Sequence, residues 1–109
     1  MWMSNYSPDK WVIAVFNRGT DKEVSKVMGG WSGGYLDGDS WRISSGIKEV
    51  EKDGDYYNII NHSGSVYRCH KEMNDMTPYM AQVYGDFKKK LEDDGNTVEL
   101  ITVEEFLES

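Results

Sequence analysis

The sequence predicts a single α+β domain over residues 1–109, a mainly antiparallel sheet of five to six strands packed by one main helix. Three observations point there. Short runs of branched and aromatic residues recur between turn-type segments, KWVIAVFN at 10–17 being the clearest. Asp53-Gly54 stands between two extended runs, the strongest local signal for a tight hairpin. One stretch, TPYMAQVYGDFKKKL, has helical spacing behind a capping residue. At 109 residues the chain is near the common size for one core, and 39% hydrophobic with 13% aromatic content suffices to build it.

KWVIAVFN reads as a buried strand closed by Arg18-Gly19, and GTDK has the composition of a turn leading into EVSKVMGGW at 23–31. SWRISSGIKEV at 40–50 is the third strand, with Trp41, Ile43, Ser45 and Ile47 on one face and Arg42 on the other. Its apolar period slips after Ile47, so Gly46 is expected to mark a bulge. DYYNII, the turn NHSGS and VYRCHKE continue the sheet as an antiparallel meander.

The helix starts at Thr77 as cap with Pro78 in the first position. Met80, Val83, Tyr84, Phe87 and Leu91 form its apolar stripe, and Lys88 to Lys90 suit the negative end of its dipole. Gly95 stops it. Gly85 weakens the interior by about 1 kcal/mol against Ala, which close packing on the sheet would explain. TVELITV at 97–103 is a last strand, or TVEEFLES opens a short C-terminal helix capped by Thr102 with Glu105 in the capping-box position.

GGWSGGYLDGDSW at 29–41 combines five glycines with Trp31, Tyr35 and Trp41. A simple hairpin needs two such turn residues, so the segment is expected to be a loop that wraps a ligand or partner, the aromatics supplying contact area. A flexible connection is the bland alternative.

A net charge of −7 opposes broad binding to a nucleic-acid backbone, while leaving room for one cationic pocket. Acidity can also imitate nucleic acid or dock on a basic partner. Here the charges are mixed along the chain, and only EDD at 92–94 and EE at 104–105 cluster. A single cysteine, Cys69, forbids an internal disulfide and fits a reducing cytosol. No run approaches the roughly twenty apolar residues of a membrane span, and MWMSNYSPDK lacks the order of a secretion signal. A cytoplasmic protein is expected, with no membrane partner.

Metal binding finds little purchase. Cys69 and His70 are strand neighbours pointing to opposite faces, and neither CxxC nor HExxH occurs. Neither a metal nor another cofactor is expected. Ser44, Ser45, Ser63 and Ser65 lie outside any nucleophile-elbow pattern, and the aspartates at 37, 39, 53 and 55 all sit in turn sequence. No catalytic residue is assigned. GGWSGG is no phosphate loop.

Binding remains. Arg18, Arg42 and Arg68 are the three arginines, and arginine's planar fork suits phosphate or carboxylate. Arg42 and Arg68 fall in strands expected to be near neighbours. Val66, Arg68 and His70 would share one face, with Tyr67, Cys69 and Lys71 on the other. The candidate ligand-binding residues are Trp31, Tyr35, Trp41, Arg42, Tyr67, Arg68, His70 and Lys71, the rings stacking a base or a guanidinium. If the partner is instead a protein, Asp37 and Asp39 are the candidate contacts. Beside this stands the plainer possibility that each Arg is packed in a surface ion pair.

GDSWRISSGI, DGDYYNI and SGSVYRCHKEMNDMTPYM together resemble a type of small accessory protein of tailed bacteriophages, over roughly residues 29–85. The resemblance implies expression in the cytoplasm of an infected bacterium and stoichiometric action against host defences. Three expectations follow. The first is a non-enzymatic binder, expected to act as a homo-oligomer, that sequesters a nucleotide-type immune signal. The second is an inhibitor of a host defence nuclease or effector. The third is a small hydrolase of an immune signal.

Overall fold

A computed structural model of the chain describes residues 4–34 and 38–108, with backbone alone at 4, 33, 34 and 38. Among them are eight strands in two sheets, one long helix and a short C-terminal helix. The first sheet is ordered β1 (Ser4–Tyr6), β7 (Ser65–His70), β6 (Tyr56–Asn61), β5 (Ile47–Asp53). The second is ordered β4 (Gly38–Ile43), β3 (Val24–Gly34), β2 (Lys10–Phe16), β8 (Val98–Ile101). The pairings are antiparallel except β1 with β7.

One sheet of five to six strands was expected, and the structure has two of four. The difference lies in the segment expected as one strand over 40–50. It breaks at Ser44–Gly46, so that β4 closes the edge of the second sheet while β5 begins the edge of the first. The slip in apolar period is therefore a change of sheet. Ile43 borders Phe87 of the helix, whereas Ile47 enters the core between the sheets. The expected meander is real but confined to β5, β6 and β7.

Strand alternation divides the apolar residues between two cores. Trp11, Ile13, Val27, Ile59, Tyr67 and Cys69 fill the space between the sheets. Val12 and Met28 face the other way and pack with Met80, Val83, Tyr84 and Phe87 of α1 (Pro78–Asp93). The helix starts as its sequence demands: Thr77 Oγ1 accepts from the Met80 amide at 3.1 Å and Pro78 occupies the first turn. Gly85 does not touch the sheet, since a Cβ there would meet nothing within 4 Å. Packing therefore gives no reason for it. After β8 the chain forms α2 (Val103–Glu108), with Thr102 and Glu105 bonded reciprocally at 3.0 and 3.1 Å; Val103 and Phe106 close the inter-sheet core.

The glycine-rich segment is mostly paired strand. Residues 29–34 extend β3 and residues 38–41 return as β4. A ligand-wrapping loop is thus excluded over that part, and residues 35–37 lie outside the described residues. Two glycines have a packing cause. A Cβ on Gly29 would stand 2.8 Å from Pro8 Cβ, and one on Gly30 would overlap the thioether of Met80. The two residues lie against opposite layers, so β3 stays thin enough to be packed from both sides.

Candidate functional site

The register of β3 against β4 orients the key side chains. Arg42 pairs with Gly29 and Trp41 with Gly30, and directly opposed residues share a face. Gly29 looks towards Tyr67 and Gly30 towards Met80. Arg42 therefore faces the other sheet, and Trp41 faces α1.

On the inner side Arg42 meets aromatic rings from β1 and β7. Its guanidinium carbon lies 4.6 Å from the centroid of Tyr6, a cation–π distance. The Tyr6 ring is 5.0 Å from Tyr67 and 6.4 Å, edge-on, from Trp31. Trp31 is held by its indole N–H, which donates to Ser7 O at 3.0 Å. Burial is the main influence on the Tyr67 phenol and pushes its pKa up to about 12, against the opposing pull of the Arg42 charge. The phenol therefore remains protonated at neutral pH and can donate.

A cavity of about 250 Å³ opens beside this cluster, where the β4–β5 crossover meets the β6–β7 turn. Arg42, Tyr6 and Tyr67 line it together with Ile43 and the hydroxyls of Ser44, Ser45, Ser63 and Ser65. Hydrogen bonds lace its floor. Ser44 Oγ accepts from the Val27 amide at 3.0 Å and donates to Ser45 O at 2.6 Å. Ser45 Oγ donates to Ser63 Oγ at 3.0 Å and accepts from the Ser63 amide at 3.2 Å. Ser63 and Ser65 share a bond of 3.2 Å, and the buried Asn61 donates to Ser65 Oγ at 3.1 Å.

Counting protons shows what the cavity has left to offer. The Ser44 and Ser45 hydroxyl protons are committed. The Ser63–Ser65 bond consumes one proton of that pair, so whichever residue accepts keeps a donor to spare. Arg42 makes no ion pair with a described residue, and no carboxylate is among the described residues that line the cavity. Among the lining side chains one spare serine hydroxyl proton and one positive charge stand beside serine oxygens that can still accept.

The expected pairing of Arg42 with Arg68 does not occur. Arg68 is in the other sheet and points to the outer face of β7. There it stacks 4.2 Å from the Tyr56 centroid, bonds Asn58 Oδ1 at 3.1 Å and forms an ion pair with Asp53 at 2.8 Å. His70 joins that outer group, edge-on to Tyr56 at 5.0 Å, and its Nδ1 accepts from the Glu72 amide at 3.1 Å. Lys71 lies 5.2 Å from the Tyr57 centroid. Arg18 is paired with Glu99. Of the expected ligand-binding set, the structure brings together Trp31, Arg42 and Tyr67. It places Arg68, His70 and Lys71 elsewhere, with Trp41 on the far face of β4. Asp39 is exposed at the start of β4, while Tyr35 and Asp37 lie outside the described residues.

Cys69 is fully buried between the sheets, where desolvation raises its thiol pKa well above the ordinary value, so it is no thiolate nucleophile. No group of three or more His, Cys, Asp or Glu side chains is placed to hold a metal ion among the described residues. No helix among them is long and apolar enough to cross a membrane.

Tyr6 and the four serines are the site residues that sequence reasoning did not gather. Tyr6 belongs to a three-residue strand preceding the first apolar run, with only the alternation in SNYS and the edge-marking Pro8 to signal it. The serines were weighed as nucleophiles, a role for which they lack a partner: no histidine or carboxylate hydrogen-bonds a lining serine hydroxyl among the described residues. Compared with known proteins, the chain matches no family model, no curated protein and no solved structure.

Proposed function

We propose that this chain is a non-catalytic binding protein that sequesters a nucleotide-type small molecule, of the kind a bacterial host uses as an immune signal, by taking its phosphate into the cavity beside Arg42. The observation that carries this reading is a guanidinium stacked on Tyr6, without an ion-pair partner among the described residues, above a floor of serine hydroxyls. Arginine with neutral donors is the usual chemistry for holding an oxyanion. The cavity, at about 250 Å³, is below the roughly 300–1,000 Å³ of pockets that engulf a whole ligand. Arg42 and Ser63 are exposed at its mouth, so it would seat the phosphate and part of a sugar at the surface, leaving the base near Trp31. The resemblance to phage accessory proteins supplies the biological setting, a defence signal withheld in the host cytoplasm.

Calorimetric titration with adenine and guanine nucleotides, linear and cyclic, tests the proposal. Saturable heat with recovery of the ligand intact is the expected result. Recovery of a cleaved ligand would favour the hydrolase reading, and no heat at ligand concentrations far above micromolar would remove the nucleotide.

Inhibition of a host defence nuclease or effector is favoured by one separate feature. Trp41 is 38% exposed and borders two shallow apolar hollows with Phe87, one including Phe16 and Leu91 and the other Val83 and Lys90. Exposed tryptophan is a common anchor at protein interfaces. Loss of inhibition on Trp41→Ala with retention on Arg42→Ala would establish that reading in place of the first.

A further inference from the structure

The outermost strand of a sheet leaves a row of backbone N–H and C=O groups without a neighbouring strand, and folded chains guard such rows against one another. The two sheets present four edges, β1 and β5 on the first, β4 and β8 on the second. Three of them are guarded. β1 has three residues and runs into Pro8. On β8, four residues long, the Val98 carbonyl accepts from Lys88 Nζ at 3.1 Å. β5 has a bulge between Ile47 and Glu49 and carries Lys48, Glu49, Glu51, Lys52 and Asp53. A twofold antiparallel pairing with a second copy must centre on one residue. Centred on a charged residue of β5, it sets that residue against its own copy. Centred on Val50, it sets Lys48 against Lys52 and Glu49 against Glu51, and like charges directly opposed are destabilising.

β4 is different. Ser44 donates its backbone N–H to Val27 O at 2.9 Å, in register with the β3–β4 pairing, so Ser44 and Arg42 turn their backbone groups towards β3. By alternation Trp41 and Ile43 turn theirs to the outer edge, where no described strand pairs with them. Trp41 and Arg42 are exposed there. A twofold pairing centred on Trp41 sets the two Trp41 residues opposite each other, each donating its N–H to the other's C=O. It sets Arg42 against Ser40 and Ile43 against Asp39, so no like charges stand directly opposed. The nearest like pair, the two Arg42 side chains, is diagonal at about 7–8 Å, and each guanidinium is drawn onto Tyr6. The two indoles meet on the α1 side, over the hollows that each shares with Phe87.

We propose that β4 is a self-association edge: two copies of the chain pair antiparallel about Trp41 and join two four-stranded sheets into one of eight. The partner is the chain itself because the register that uses the Trp41 backbone also matches its ring with an identical ring and opposes no like charges. No ligand is needed for this contact, so it stands or falls apart from the nucleotide reading.

Sedimentation velocity of the wild-type protein from about 1 to about 500 µM tests it. The mass should rise from 12.5 kDa towards twice that value. Trp41→Lys sets two cations opposite each other and should stay at the single-chain mass throughout, as should Trp41→Glu. An equimolar mixture of the two variants should regain the doubled mass, because residue 41 faces residue 41. Amide hydrogen exchange gives a reading without substitution: the Trp41 N–H, which faces away from β3, should become protected as wild-type concentration rises. If either variant fails to fold by circular dichroism, the exchange measurement decides alone. A wild-type protein that stays at the single-chain mass overturns the proposal and leaves the edge to a foreign strand. A Trp41→Lys variant that still doubles, a mixture that stays single, or a Trp41 amide whose protection ignores concentration overturns it equally.

Discussion

Arg42 and Arg68 make the same contact and end in different states. Each guanidinium lies over a tyrosine ring, at 4.6 Å from Tyr6 and 4.2 Å from Tyr56. Arg68 is then completed by Asp53 and Asn58 on an open sheet face. Arg42 has serine hydroxyls around it and no ion pair with a described residue. Stacking alone thus says little about function. What separates a structural arginine from a receptive one is whether the chain supplies the counter-charge.

The largest effect should come from removing each arginine in turn. Arg42→Ala should weaken nucleotide binding by about 10- to 100-fold, the range expected for losing charge-assisted hydrogen bonds of about 1.5–3 kcal/mol. Arg68→Ala should leave affinity within about 2-fold, because its fork is already occupied. Equal losses in calorimetry would erase the distinction between the two sites.

A second effect sharpens the contrast between the faces of β3. Gly29→Ala and Gly30→Ala each force a methyl into packed space, against Pro8 and against Met80 respectively. Both should cost about 1–3 kcal/mol in urea unfolding. Only Gly29→Ala should also weaken binding, since Tyr67 lies 3.6 Å from that added Cβ. If Gly30→Ala weakened binding as much, the inner face would not be the binding face.

The smallest effect concerns acid. The hydrogen bond and charge of Arg68 hold the Asp53 carboxyl below its ordinary pKa of 3.8. A carboxyl depressed in the folded state contributes stability above its ordinary pKa and loses it as pH falls through the folded value. Arg68→Ala should therefore lower the melting temperature slightly at neutral pH. The difference from wild type should vanish in acid well below 3.8. Arg42→Ala should show no such convergence. A difference at Arg68 that persists in strong acid would mean stacking on Tyr56, not the ion pair, carries its contribution.

Much of the fold was legible because its signals are local. The cap at Thr77, the turn at Asp53-Gly54 and the alternation in KWVIAVF each specify their own element within a few residues. The split of 40–50 was not legible, although its trace was visible in the slipped period after Ile47. A bulge within one strand and a passage between sheets disturb the pattern alike, and only long-range pairing distinguishes them. Site membership failed for the same reason. Arg42 and Arg68 looked like neighbours because one continuous sheet was assumed, and Tyr6 was overlooked because a three-residue parallel strand has almost no pattern of its own. Tyr67 was found through its neighbours in sequence, yet it belongs with Arg42 and not with Arg68 beside it, since successive strand residues serve opposite faces.

The crossover at Ser44–Gly46 has a bearing on when the molecule becomes competent. Arg42 is delivered by one sheet, Tyr6 and Tyr67 by the other, and the serines by the two turns that join at the seam. Neither half of the fold holds a receptor by itself. An anion lodged there would act as a clasp across the seam, adding to the work needed to part the layers in proportion to how tightly it is held. Capture and consolidation of the fold would then be one event.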